Sequence, residues 1–321
     1  MSSKIQITTG ARLHFGMLSC AAATRRQFGG VGLMVDSPGC QITFERADHA
    51  SITGPPESCL RVEEFAGRYC ERFSADPPPP CRIEIRNEIP SHLGLGSGTQ
   101  LGMAVARGLS MIAGEDCDDA VELADRVNRG KRSAVGLHGF ARGGLIVEAG
   151  KRSASESGAL VSRVEFPGGW RLVLARPPDG AGLSGAAELD AFSRLPAMPI
   201  AMTGRLCRIV LLDLLPAVIE ANFDACGESL YEFGRTVGEY FAPLQGGIYA
   251  NARMAKLVTA LQTEGIRGVG QTSWGPTLFI LCSDAISADG LVAHLAADPQ
   301  WADCRFQITK PRNHGADVRI V

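Results

Sequence analysis

The chain has 321 residues, 45% of them hydrophobic and 21% charged, with 32 basic against 34 acidic side chains and a net charge of −2. So even a balance gives no overall field to recruit nucleic acid or an anionic membrane, and any anion must be bound locally. The opening "MSSKIQITTG" has no apolar leader core, and no later run approaches the ~20 apolar residues that cross a bilayer, so a cytoplasmic protein is expected.

The length suits two domains of ordinary size. Ten cysteines are scattered singly, without a C-x-x-C pair. They read as small buried hydrophobes in a reducing compartment rather than as a disulfide framework or a structural zinc site.

In chain order, "VEEFAGRYCERF" spaces Val62, Phe65, Tyr69 and Phe73 as one face of a helix, followed by the stiff run Pro77 to Pro80. "CRIEIRNEIP" alternates Ile83, Ile85 and Ile89 with charged residues, the pattern of a strand with one wet face. Such a strand disfavours a doubly wound parallel sheet. "QLGMAVARGLSMI" predicts a helix with a stripe of Leu101, Val105, Leu109 and Ile112, and "DDAVELADRVNRG" one capped by Asp118 or Asp119.

"RPPDGAGLSG" is a Pro/Gly-rich crossing between domains, placed at 1–180 and 181–321. Beyond it, residues 203–241 predict core-rich helices broken near Pro216. A helix in "NARMAKLVTALQTEG", a strand in "TLFILCSD", a helix in "SADGLVAHLAAD" and a strand in "CRFQIT" follow. The mixture gives an α+β class with two domains.

The turn "GLGSGT" joins the strand ending near Ile89 to the helix that follows, so its glycines sit where unpaired N–H groups and the positive end of the helix dipole converge. A phosphate fits such a place. Ser97 and Thr99 add hydroxyls, while Gly94, Gly96 and Gly98 remove the Cβ atoms that would hold a ligand away. No lysine follows, which excludes a P-loop, and Thr99 stands where a dinucleotide fingerprint needs glycine. A second glycine-rich turn, "GVGQTSWGPT", with Ser273 and Trp274, could form an opposing jaw.

Together, Pro90 to Thr99 resemble the phosphate-binding motif of the GHMP kinase superfamily, P-x-x-x-G-L-G-S-[SG]-[AST]. Gly268 to Thr277 resemble its third motif, and "GARLHFGM" occupies the place of its first. The resemblance implies a GHMP-kinase-like fold, with an N-terminal domain like ribosomal S5 domain 2, a ferredoxin-like C-terminal domain and a site between them. The longer stretches "ARLHFGM…TRRQFGGVGLMVDSPG", "GKRSAVGLHGFARGGLIVEAG" and "GLSGAAELDAF" are similar to the β-ribofuranosylaminobenzene 5′-phosphate synthases of methanopterin biosynthesis. That family condenses phosphoribosyl pyrophosphate (PRPP) with a para-substituted benzoate, 4-aminobenzoate or 4-hydroxybenzoate, losing carbon dioxide and pyrophosphate.

Many kinases of the superfamily place an aspartate soon after the S-x-G-like turn, but no acid stands between Ser133 and Gly144 here. This lowers the case for an ATP-dependent kinase, which stays an alternative beside a non-catalytic phospholigand-binding regulator. For a synthase, Gly94, Leu95, Gly96, Ser97, Gly98 and Thr99 would hold the pyrophosphate with Mg²⁺, assisted by Glu188. Arg12, Arg25, Arg26, Lys131, Arg132 and Arg142 would neutralise phosphate and carboxylate charge. Asp36 would stabilise the developing cation or bind ribose hydroxyls, although a turn-starting Asp is the alternative. His14 and His138 would meet the benzoate, although a histidine in either place also suits a structural hydrogen bond. Small-molecule substrates and a homodimer complete the expectation.

Overall fold

A computed structural model describes residues 4–20, 26–72, 78–180, 190 and 193–321. Strand β1 (Ile5–Ser19) and strand β2 (Phe28–Arg46) form a long antiparallel hairpin with bulges between Gly10 and Ala11 and between His14 and Gly16. Five further strands extend this sheet: β3 (Ser51–Thr53), β4 (Cys81–Asn87), β5 (Leu145–Glu148), β6 (Leu160–Val164) and β11 (Asp317–Ile320). Its main order is β11-β1-β2-β4-β3, while β5 pairs with β2 and carries β6 on its other edge. Only β3 and β4 pair in parallel among these neighbours.

Strand β4 follows the alternation of its sequence, with Ile83 and Ile85 inward and Arg82 and Arg86 exposed. Helix α1 (Pro56–Arg72) turns Val62, Phe65 and Tyr69 to the core. Helix α2 (Ser97–Ala113) departs from the single stripe expected of it: Gln100 to Ala106, Gly108 to Ser110 and Ile112 are all buried. The cause is enclosure, since the sheet covers one side of α2 while α1, α3 (Ala120–Arg126) and α4 (Val135–Arg142) cover the others. Gly108 permits the contact, because a Cβ there would stand 2.5 Å from Phe44 Cδ2 on β2. Of the two candidate caps for α3, Asp119 is the one that accepts Val121 N–H and Glu122 N–H.

The second sheet has the antiparallel order β10-β7-β9-β8, from β7 (Arg171–Arg176), β8 (Val269–Gln271), β9 (Leu278–Cys282) and β10 (Arg305–Thr309). Alternate residues of β7 and β9 serve two cores. Leu172, Leu174, Phe279 and Leu281 join the main core, while Val173, Ala175, Leu278 and Ile280 pack against α8 (Ala252–Thr263) and α9 (Ala285–Ala297). Phe15 of β1 meets Phe279 of β9 with ring centroids 4.8 Å apart, so the two sheets share one core. The sheets do not divide at residue 180: β7 already lies in the second sheet, and β11 returns to pair with β1.

The helical run beyond the crossing is α5 (Ile200–Arg208), a π-helical stretch Ile209–Leu214, α6 (Leu215–Ile219) and α7 (Phe223–Gln245). Pro216 starts α6 rather than breaking it. The wide π turn just before it absorbs the missing N–H and the ring's bulk, and the chain turns instead at residues 220–222.

Candidate active site

The glycine turn lies between β1 and the turn after β8. Arg12 N–H donates to Leu95 O at 3.0 Å. Thr272 Oγ1 accepts His14 N–H at 2.9 Å and donates to Gly94 O at 2.8 Å, and Thr277 Oγ1 donates to Leu93 O at 2.7 Å. Ser273 N–H reaches back to His14 O at 2.8 Å. The two glycine-rich turns, about 175 residues apart in sequence, are thereby stitched to each other and to the "GARLHFGM" stretch of β1.

Gly94 and Gly96 both adopt φ +75°, and Gly96 caps α2 without a side-chain hydrogen bond. That conformation favours glycine, and it turns the first amides of α2 outward. Arginines ring this end of the helix. A Cβ on Gly96 would stand 3.2 Å from Arg12 Nε, and one on Gly98 would stand 2.6 Å from Arg61 Nη2 and 3.0 Å from Arg129 Nη2. Arg129 also donates to Thr99 Oγ1 at 3.2 Å, and Arg61 to Ser91 Oγ at 2.9 Å. Arg61 and Arg129 were not singled out from the sequence, because only the packing of α1 and α3 against α2 brings them to the turn.

Beside the turn, His14, Met17, Val237, Phe241, Ser273 and Trp274 line a cavity between β1 and α7. Trp274 packs edge-on against Phe241 at 4.7 Å. Glycines at 16, 234 and 238 add no side chains to its walls. Aromatic and aliphatic side chains share its wall with the polar His14, Ser273, Gln245 and Gln271, a mixture suited to a flat ring with polar substituents.

His14 is buried, and its Nε2 lies 2.9 Å from Ser133 Oγ. Burial, and then the nearby Arg12 charge, hold its pKa well below 6.5, so the imidazole is neutral. Behind Ser133 stands the carboxylate of Glu148, fully enclosed at the end of β5. Ala134 N–H donates to it at 3.2 Å and Gly150 N–H at 2.6 Å, and the Ser133 hydroxyl also favours its ionised form. Burial raises its pKa to about 7 against the pull of those donors. Glu148 lies just beyond the Ser133–Gly144 stretch in which the superfamily's acid is expected. The signal was an acid closing the apolar run "LIVE".

The other expected residues are engaged elsewhere. Asp36 accepts Arg312 Nη1 at 3.2 Å and pairs with Lys310 at 3.3 Å, which ties β2 to the chain after β10. His138 Nε2 lies 2.8 Å from Gly158 O, and burial lowers its pKa. Arg26 donates to Gly150 O at 2.9 Å, Lys131 pairs with Asp125 at 3.6 Å, and Arg142 is exposed at the end of α4. Arg25 and Glu188 lie outside the described residues.

Residues 61–143 match the family described as GHMP kinases N terminal domain. The whole fold agrees: mevalonate-3-kinase from Thermoplasma acidophilum superposes with a TM-score of 0.67 at 12% identity, covering 99% of each chain. Two relatives carry the name beta-ribofuranosylphenol 5′-phosphate synthase. The one from Methanothermobacter thermautotrophicus is 30% identical over 98% of this chain and 99% of its own. The one from Archaeoglobus fulgidus is 28% identical over 98% of this chain and 100% of its own. A GHMP-type α+β fold with a glycine-rich turn at the start of α2 thus defines the class. The chain belongs to the β-ribofuranosylphenol 5′-phosphate synthase family within it, a family of pentosyl-transferring enzymes.

Proposed function

We propose that this enzyme joins PRPP to 4-hydroxybenzoate, releasing pyrophosphate and carbon dioxide to leave a β-ribofuranosylphenol 5′-phosphate, a step of methanopterin biosynthesis. The observation that carries the reading is the adjacency of two unlike subsites: an arginine-ringed glycine turn suited to a diphosphate and an aromatic cavity suited to a benzoate, with His14 and Ser273 at their border. The relatives' name, with its phenol product, favours the hydroxy over the amino acceptor.

In this mechanism the amides of residues 94–98 and the guanidinium groups of Arg12, Arg61 and Arg129 stabilise the departing diphosphate. The C1–O bond of the sugar breaks with its electron pair going to the diphosphate. The ring carbon bearing the carboxylate attacks the resulting oxocarbenium-like carbon. Loss of carbon dioxide returns the bonding pair to the ring and restores aromaticity. The imidazole of His14, kept neutral by burial and the Arg12 charge, is suited to accept a hydrogen bond from the phenol hydroxyl as electron density moves into the ring. Phe241 and Trp274 hold the ring plane, so that much of the rate comes from orientation.

Mg²⁺ would neutralise part of the diphosphate charge. Beside phosphates it needs only one or two protein oxygens, and the Ser97 and Thr99 hydroxyls at the turn fit that need, with Glu188 as a further candidate. The same reading has a cytoplasmic homodimer without nucleic-acid or membrane partners; among the described residues no helix is long and apolar enough to cross a membrane.

The test is to incubate the protein with Mg²⁺, PRPP and either 4-hydroxybenzoate or 4-aminobenzoate and to follow pyrophosphate and carbon dioxide. Equimolar release of both, faster with the hydroxy acid, is the expected result. ATP consumption with an alcohol and no such release would assign a kinase instead. Tight PRPP binding with neither turnover would assign a regulator.

A further inference from the structure

The line His14–Ser133–Glu148, buried at both ends and half-buried at Ser133, has a property beyond that mechanism. His14 Nε2 and Ser133 Oγ are 2.9 Å apart, and the Ser133 hydroxyl favours the ionised form of Glu148, whose Oε1 accepts the next amide along, Ala134 N–H, at 3.2 Å. Two glycines keep the line intact. A Cβ on Gly30 would stand 3.0 Å from His14 Nε2 and 3.3 Å from Glu148 Oε1, and one on Gly158 would stand 2.9 Å from the Glu148 carboxyl carbon.

A serine hydroxyl has one proton and a carboxylate has none to give. While Glu148 is ionised, Ser133 donates to it and the serine oxygen accepts a proton-bearing Nε2 from His14, leaving Nδ1 bare. When Glu148 takes up a proton, the direction reverses: Glu148 donates to Ser133, Ser133 donates to Nε2, and the ring proton sits on Nδ1. The imidazole stays neutral throughout.

We propose that Glu148 is a positioning residue which, acting through Ser133, sets which ring nitrogen of His14 carries the proton. The catalytic consequence rests on the reading above, in which His14 borders the acceptor: the tautomer with a bare Nδ1 is the one able to accept a hydrogen bond from the phenol hydroxyl, so ionised Glu148 supports turnover. The other charged groups nearby have their own partners or sit apart from the line. On β1, Arg12 lies at the glycine turn and acts on His14 through its charge. On α4, His138 bonds to Gly158 O, and Arg142 is exposed. Beyond β5, Arg26 bonds to Gly150 O, Lys151 bonds to Ala154 O, and Arg152 pairs with Glu156. On β6, Arg163 bonds to Gly143 O, and ahead of α4 Lys131 pairs with Asp125. Arg132, the last of these, directly precedes Ser133.

The experiment is ¹⁵N NMR of histidine-labelled, ligand-free protein across about pH 5.5 to 8.5, a range that brackets the titration of a buried carboxyl near neutrality. The His14 signals are assigned by their loss in His14→Asn. We expect His14 to pass from the Nδ1–H to the Nε2–H tautomer as pH rises through about 7. Ser133→Ala and Glu148→Gln should abolish that change, and Ser133→Thr, which keeps the hydroxyl, should retain it. A His14 tautomer that is constant with pH in the wild type, or that still switches in Ser133→Ala, would overturn the proposal. If Glu148→Gln fails to fold, the Ser133 pair decides the matter alone. The readout needs no substrate, so a wrong acceptor would leave the NMR result standing while abolishing turnover.

Discussion

Gly96 lies against the side chain of Arg12: a Cβ on the glycine would stand 3.1 Å from Arg12 Cβ and 3.2 Å from its Nε. The capping residue of α2 and a proposed phosphate ligand therefore share one space. Gly96→Asp would set a carboxylate at that guanidinium, neutralising it, and would add about 1 kcal/mol of left-handed strain. Loss of PRPP binding with a cooperative melt preserved is the expected outcome, read by titration calorimetry and circular dichroism. Unchanged affinity would move the donor away from this turn.

Arg61 and Arg129 approach the same helix end from α1 and from behind α3. Removing a charged hydrogen bond to a phosphate costs about 1.5–3 kcal/mol, so Arg61→Ala and Arg129→Ala should each weaken PRPP binding roughly 10- to 100-fold. Arg→Lys at either position should recover only part of this, since the fork is lost. Steady-state KM for the donor against KM for the acceptor checks the assignment, because only the former should rise.

Trp274 should act on the other substrate. Its indole packs on Phe241 in the wall of the aromatic cavity. Trp274→Ala is expected to raise the acceptor KM about tenfold or more with little change for PRPP, and to cost about 3 kcal/mol of stability from the lost packing. A donor effect equal to the acceptor effect would place the aromatic ring elsewhere.

The pH dependence of stability follows from three buried groups. Glu148 titrates at about 7 in the folded chain against 4.5 when unfolded. A raised value means that its contribution is fully present below about 4.5 and is lost as pH climbs to about 7, at no more than about 1.4 kcal/mol per unit. His14 and His138 are lowered from 6.5, so their contribution is present above 6.5 and is lost as pH falls. The two trends oppose each other in mild acid. Glu148→Gln removes one of them, so chemical denaturation of that variant should show stability rising with pH between about 5 and 6.5, more steeply than in the wild type.

Much of the architecture was legible where one face of an element is wet. Strand β4 alternates because its outer face meets solvent, and α3 declared its start through Asp119. The β1–β2 hairpin was not read as strands, since Gly29 to Val35 are buried without interruption and leave no period-two signal. The site divided in the same way. Its backbone component, the glycine turn, is local and could be read, whereas Arg61, Arg129 and Glu148 reach it only through tertiary packing. Asp36 illustrates the converse. It sat in a motif that invited a chemical role, yet Lys310 and Arg312, some 275 residues further on, take up its carboxylate.

Strand β11 pairs Asp317 to Ile320 with Ile5 to Thr8, so one edge of β1 is satisfied only by residues far along the chain. During translation, β1 must therefore wait with that edge unsatisfied until the ribosome has released Ile320, long after its partner β2 has emerged. The interval in which a holdase chaperone would be of use is thus written into the order of the strands.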